Sequence, residues 1–423
     1  MKKQLAFFGF CLFAAALAVL AASQWEQPIL TGTAATNWSP VGPEGGNIKS
    51  LAFHPTNPSE ITALVSGYPS SVYRTTNGGQ SWTRIAVINE NLYDIDYDPL
   101  NGSTLYAPSS SRLYKSTNGG VNWSSTSFAG SYGNNGGLAV HPTSPNILYG
   151  CGYSYSASNY SIAFVKSTDS GATWTVKALS PAGSYAYGNV VATSPANPNM
   201  IFVSGYYYSG GTSYYLYRSS DGGNSWANVT GSIGTTYEIS GVAVDPTNAN
   251  KVYAATAWGV FRSSDAGASW AKNSGYAYGY ALAIDKNNPS TLYAGYNKEV
   301  YKSTDGGVNW TKSTGMFGLC TSMIVSNTNV YFGSNAGVYR SLNAASSWQE
   351  ANAGMKASNI VAVTASLASP NVVYCEMSGS GFYRSTNFGM TWSRCPDFYR
   401  CESITRILTG TTNGSEVFIL AGG

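Results

Sequence analysis

Four aspartates, Asp169, Asp221, Asp265 and Asp305, each stand two residues after a serine and five before a tryptophan (Trp174, Trp226, Trp270 and Trp310). A carboxylate set among small residues could act as a general acid or hold a hard cation. The same spacing returns with Asn77, Asn118, Asn343 and Asn387 ahead of Trp82, Trp123, Trp348 and Trp392. An amide accepts the same backbone hydrogen bonds in a turn but cannot ionise. Hydrogen bonding is therefore the shared requirement, and a structural turn is the reading that fits all eight copies.

Acids outside the turns are few. Asp94 and Asp96 alternate onto the same side of one strand, too close together for inverting hydrolysis, and are expected to be hydrated near a channel. Glu238 and Glu376 enter or lie on other strands. His54 and His141 occupy the turn position held elsewhere by Asp98, Asp245 and Asp285, so they read as turn residues. No zinc spacing occurs, and neither a metal nor a cofactor is expected. Cys395 and Cys401 flank "PDFYR" and could close a short disulfide loop.

The elements that position these residues follow from the repeat. The eight tryptophans recur every 38 to 52 residues, the length of one four-stranded propeller blade. In residues 238–274, "ISGVAVDP", "KVYAATA", "GVFRSS" and "SWAKNS" read as strands A to D of an antiparallel meander. Turns such as "HPTNP" and "DPTNA" join A to B, and the aspartate or asparagine turn joins C to D. A blade cannot bury both faces alone, so the fold is all-β: a β-propeller with eight such repeats and a partial ninth, which a longer or tandem propeller would complete. "NWSPVG" resembles a D strand without its blade, and the chain ends on two strands, "SITRILTG" and "EVFILAGG"; a fragment of a longer protein is expected.

The glycine of the turn is expected to need a positive φ angle, so Ala345 in the seventh copy should make that blade the least regular. The basic residue before each turn, such as Arg74, Lys166 or Arg340, reads as a solvated strand position. The tryptophan should pack over its hairpin or between blades.

The eight turns fit [ST]-x-[DN]-x-G-x-x-W apart from Ala345, and this pattern resembles the Asp-box, or BNR repeat, of sialidases, sortilin-type receptors and glycoside hydrolase family 74. The resemblance covers residues 47–396 and implies a structural box. Family 74 cleaves xyloglucan with paired aspartates in a cleft between two propellers. Its first-blade pattern R-T-D-x-G-G-x-Y-R matches residues 65–74 here, "VSGYPSSVYR", which holds no carboxylate. No Arg-Ile-Pro segment of sialidases occurs. A protein-interaction scaffold like the sortilin-type receptors, or like the propeller assembly factors of photosystems, is the third class the resemblance admits.

Residues 1–22 read as a signal peptide: Lys2 and Lys3, an apolar core, then Ala21, Ala22 and Ser23. Residues 23–46 form an N-terminal segment and 47–423 the repeats. No other stretch could span a membrane, so the protein is expected to be secreted or at the cell surface. A net charge of +3, evenly spread, argues against nucleic acid.

Length variation falls on the face opposite the C–D turns. The B–C insertions hold Tyr153, Tyr155, Tyr160, Tyr206, Tyr207, Tyr208, Tyr214 and Tyr215; a D–A connection holds Tyr276, Tyr278 and Tyr280; and Trp258 sits on the B–C turn of the fifth blade. Such aromatic loops suit sugar rings or a protein surface. The expected function is a binding module for a polysaccharide or surface protein, with a family 74-like glucanase and a sortilin-like scaffold as alternatives.

Overall fold

A computed structural model describes residues 44–130, 132–156, 159–273, 279–313, 315, 318–357, 360–366, 369, 371–377, 381–395, 404–409 and 417–421. The signal peptide, the "NWSPVG" strand, Tyr276, Tyr278 and Cys401 lie outside the described residues, and so does the Cys395–Cys401 pairing.

Eight four-stranded antiparallel sheets follow one another along the chain, at residues 48–88, 96–127, 132–178, 185–228, 239–272, 281–313, 320–350 and 360–394. They are called blades 1 to 8 here, each with strands A to D in chain order. A pair of strands, Ile404–Thr409 and Val417–Ala421, follows blade 8. In blade 5 the four strands are Ile239–Val244, Val252–Thr256, Gly259–Ser263 and Ala271–Lys272. Strand B is buried throughout because blades cover both of its faces, whereas the two-residue strand D is exposed at the rim.

Each C–D turn places two successive residues at positive φ, as in Gly78 (64°) and Gly79 (79°). The pair lies within a seven-residue connection, residues 76–82 in blade 1, that brings the chain back from strand C to strand D. The turn is held from within. Thr75 Oγ1 accepts from Gly79 N at 2.9 Å, and Asn77 Oδ1 accepts from Ser81 N at 3.0 Å. The aspartate copies keep the second bond: Asp169 Oδ1 accepts from Thr173 N at 2.8 Å. Only the side-chain bond reverses, since the Asn77 amide donates to Ser81 Oγ whereas the Thr173 hydroxyl donates to Asp169. Ala345 corrects one expectation. It adopts φ 68°, donates its N–H to Ser341 Oγ at 2.9 Å, and leaves blade 7 as regular as the others.

The tryptophans take both expected positions. Trp123, Trp174, Trp226 and Trp310 each donate Nε1–H to a carbonyl of their own turn. Trp82, Trp270 and Trp348 reach the preceding blade instead, at Ala351 O, Val229 O and Ser313 Oγ.

The basic position is not simply solvated. Arg74 donates to Gly119 O, Lys166 to Gly222 O and Arg218 to Ala266 O, each in the turn of the next blade. Arg340 of blade 7 makes the same bond to Gly78 O of blade 1, at 2.7 Å. Blades 1 and 7 also share an apolar core containing Ile48, Leu51, Trp82, Tyr331 and Met355. The ring therefore closes over seven blades. Blade 8 lies outside it, linked to blade 7 by the Arg394–Glu350 ion pair and packed through Val372, Tyr374 and Phe382 on Ile407.

The insertions on the opposite face are not loops. In blade 3, strands B and C, Leu148–Ser156 and Asn159–Ser167, pair along their whole length as a hairpin. In blade 4, strands A, B and C, Tyr185–Ser194, Asn197–Tyr208 and Thr212–Ser219, all lengthen together. Alternating tyrosines satisfy the period-2 pattern of a strand as readily as the composition of a loop, which is why the two could be confused.

Candidate functional site

Strand A of each of the seven ring blades lines the central channel, and in blades 1, 3, 4, 5 and 7 it is interrupted by a β-bulge at the end nearer the tyrosine hairpins. In four of these ring blades a single residue of strand A has no partner on strand B: Lys49, Asn189, Ser240 and Thr321. In blade 3, Asn135, Gly136 and Gly137 together oppose the single Cys151. A bulge re-aims side chains, and these all line one cavity of about 440 Å3 at the channel mouth. Glycine is required at the centre of the blade 3 bulge, because a Cβ on Gly136 would lie 2.4 Å from Gly188 O and 2.5 Å from Cys151 Sγ.

Hydrogen bonds cross the seams between blades around this mouth. Asp94 Oδ1 accepts from Ser50 Oγ at 2.7 Å and from Ile95 N at 2.9 Å, and its Oδ2 accepts from Leu138 N at 3.0 Å. One carboxylate thus joins blades 1, 2 and 3. Asn135 Oδ1 accepts from Gly188 N, and Asn189 Nδ2 donates to Glu238 Oε1 at 3.0 Å. Ser240 donates to Gly279 O, Thr321 to Ile48 O, and Ser322 Oγ accepts from Leu51 N. Asp94 and Glu238, noticed in the sequence as stray acids, are here members of this belt.

Below the mouth the channel changes character. Leu138 and Val191 border both the mouth and a second chamber of about 400 Å3, whose walls include Val140, Val242, Leu282 and Ile284 with Asp96 among them. Burial, and then the neighbouring Asp94, push the Asp96 carboxyl up to about 7. Burial also raises Asp94 and Glu238 above the usual carboxylate range, with the Ser50 hydroxyl opposing the shift at Asp94.

Tyrosines stand around the mouth. The Tyr93 phenol is raised by burial and then by Tyr153 and Tyr187 beside it. Burial first, with Glu238 nearby, also raises Tyr206, to about 12, and Tyr214. Tyr280 is raised by burial, by Tyr296 and by Glu238. On blade 4, Tyr185 stacks on Tyr208 at 5.2 Å and 9°, and Tyr187 on Tyr206 at 5.1 Å and 21°. Each pair covers one face of its rings, and Tyr185 and Tyr187 remain exposed beside it. Tyr207 and Tyr215 stack on the other side of the same strands, and with Tyr153 and Tyr160 they fill the seam toward blade 3. Tyr155 packs on Tyr160 and is exposed.

Trp258 does sit on the B–C turn of blade 5. One face of its indole carries Tyr237 at 5.5 Å and 12°, and Lys272 Nζ lies 3.5 Å from its centroid. The cation and the phenol together occupy it. His54 and His141 are turn residues: His141 Nδ1 accepts from Thr143 N and Ser144 N, and His54 Nδ1 from Thr56 N. Among the described residues no group of three or more His, Cys, Asp or Glu is arranged to hold a metal. No helix among them is long and apolar enough to cross a membrane.

The fold has known counterparts. A GH74 xyloglucanase from Xanthomonas campestris superposes with a TM-score of 0.60 at 16% identity, over 90% of this chain and 72% of that one. An ancestral GH74 enzyme gives 0.64 at 16%, over 92% and 60%. YCF48 from Cyanidioschyzon merolae gives 0.52 at 13%, over 72% and 98%. The chain has the β-propeller fold. No family profile and no curated protein sequence matches it, and at these identities the likeness extends to the propeller's architecture alone.

Sequence reasoning missed Lys49, Asn135, Asn189, Ser240, Thr321 and Ser322. The only available signals were the polar residues breaking otherwise apolar A strands and the unusual "GNNGG" of blade 3.

Proposed function

We propose that this propeller is an exported carbohydrate-binding protein, with the bulge-lined mouth and its tyrosine rim as the ligand site. The supporting observation is the inventory of groups the belt leaves over. Among the described residues nothing bonds Asn135 Nδ2, which is buried, and the Lys49 ammonium lies 5.8 Å from the Tyr93 ring centroid and within electrostatic reach of Asp94. The Ser322 hydroxyl accepts one bond and keeps its proton to donate. Asn189 Oδ1 and Glu238 Oε2 remain as acceptors beside the bond that joins those two residues. Donors and acceptors are mixed. A sugar hydroxyl is both at once, whereas a phosphate needs donors only and a cation acceptors only.

On this reading residues 1–22 serve as a signal peptide, the repeated turns are Asp-boxes with a purely structural role, and Tyr153, Tyr155, Tyr160, Tyr206, Tyr208, Tyr214 and Tyr280 form the rim. Tyr207, Tyr215 and Trp258 support it from behind.

A hydrolytic reading draws on the raised carboxyls of Asp94 and Glu238 in one sugar-sized mouth and on the GH74 neighbours, which include a xyloglucanase. Binding is favoured over it because both oxygens of Asp94 are engaged by three donors that fix neighbouring blades.

Glycan-array binding followed by titration of the hits tests the proposal. Retention on at least one glycan, weakened by Glu238→Gln and Asn135→Ala, is expected. Reducing-sugar release from a bound glycan would shift the reading to hydrolysis, and an array without a single hit would remove both.

A further inference from the structure

Resting on the carbohydrate reading, we propose that the mouth receives the terminus of a glycan chain, entering along the ring axis, and not a segment from the middle of a chain. The cavity is walled by side chains from blades 1, 2, 3, 4, 5 and 7, and Tyr280 at the start of blade 6 stands near Glu238. A ligand reaching Lys49 and Glu238 together is therefore surrounded sideways. A chain running laterally across the site would have to pass between blades.

The belt closes those passages. Backbone or side-chain hydrogen bonds join blades 1 and 2, 2 and 3, 3 and 4, 4 and 5, 5 and the approach to 6, and 7 and 1. Blades 6 and 7 meet through apolar packing of Ala281 and Ala283 on Cys320 and Met323. Beyond Leu138 and Val191 the side chains of the wall are mostly aliphatic, Val140, Val242, Leu282 and Ile284 among them, with Asp96 the one carboxylate. The groups suited to a sugar's hydroxyls, Lys49, Asp94, Asn135, Glu238 and Ser322, are gathered above them at the mouth. A volume of about 440 Å3 falls in the range of small-ligand sites, roughly 300 to 1,000 Å3.

Isothermal titration of the full chain with xyloglucan and with mixed-linkage β-glucan, each intact and after limited hydrolysis, tests this at equal mass. The number of binding sites per gram is expected to rise in proportion to the number of chain ends. Asn135→Ala and the isosteric Asn135→Asp should both weaken binding about tenfold, the equivalent of about 1.4 kcal/mol; only Asn135→Ala loses the acceptor for Gly188 N, so the isosteric variant separates the binding loss from loss of the seam bond. Sites per gram that stay constant as chains shorten would overturn end-on entry while leaving carbohydrate binding intact. Absence of binding to every intact and shortened glucan would overturn end-on entry of these glucans, and together with an array that retains nothing it would overturn the carbohydrate reading itself.

Discussion

Arg340 donates a hydrogen bond to the carbonyl of Gly78 at 2.7 Å across 262 positions of sequence. The bond repeats at the ring's last seam what Arg74, Lys166 and Arg218 do between consecutive blades. A charged donor to a half-buried carbonyl contributes about 1.5 to 3 kcal/mol. Arg340→Met, which keeps the apolar stem, should lower unfolding stability by that amount in urea titration. Lys312→Met breaks the more exposed Lys312–Glu299 pair within blade 6 and should cost less than about 1 kcal/mol. Equal losses would mean that the seam is not held by this contact.

The turn glycines should differ sharply among themselves. A Cβ on Gly79 meets Tyr331 Cε1 at 3.4 Å and Ala351 Cβ at 3.5 Å, ordinary contacts. Gly79→Ala should therefore cost only the strain of positive φ, about 1 kcal/mol, the conformation Ala345 already adopts. A Cβ on Gly223 would come within 2.5 Å of the buried Phe164 ring, so Gly223→Ala should destabilise by clearly more. Chemical denaturation of the two variants decides it.

Stability should fall on both sides of mildly acidic pH. Hydrogen bonds from Thr173, Ser269 and Asn309 hold Asp169, Asp265 and Asp305 down at about 2, below their ordinary 3.8. Depressed folded values stabilise above the unfolded value, so this contribution is lost as pH falls from about 4 through 2. Asp96 runs the other way. Its folded value of about 7 lies above its ordinary 3.8, so the folded protein holds that proton more tightly and loses stability as pH rises from about 4 through 7. Thermal midpoints should show Asp96→Asn flattening the neutral limb. The triple variant Asp169→Asn, Asp265→Asn, Asp305→Asn should flatten the acid one.

Trp258 should matter less to ligand binding than its exposure suggests, since Tyr237 and Lys272 already occupy its ring. On any glycan retained by the protein, Trp258→Ala should weaken binding less than about twofold and Glu238→Gln about tenfold, a difference near 1 kcal/mol in affinity titrations. The reverse order would return the site to the outer face of blade 5.

The scaffold was legible in the sequence because it repeats: strands A to D of blade 5 fall where "ISGVAVDP", "KVYAATA", "GVFRSS" and "SWAKNS" place them. Tertiary closure was not. Ala345 sets the seventh turn, before Trp348, apart from the eighth, before Trp392, but it adopts the common turn geometry and gives no sign that the blade it closes is the one that meets blade 1. The mouth was hidden for a related reason. A bulge shifts strand parity by one residue, so Lys49 or Thr321 looks like an ordinary alternating position until the partner strand is known.

The bulges also separate two kinds of selection. Because Lys49, Asn189, Ser240 and Thr321 lack cross-strand partners, replacing them leaves the sheet ladders and buried B strands in place. A lineage could exchange these side chains blade by blade with each sheet intact, but at Asn189, Ser240 and Thr321 a new ligand group would also replace a bond between blades.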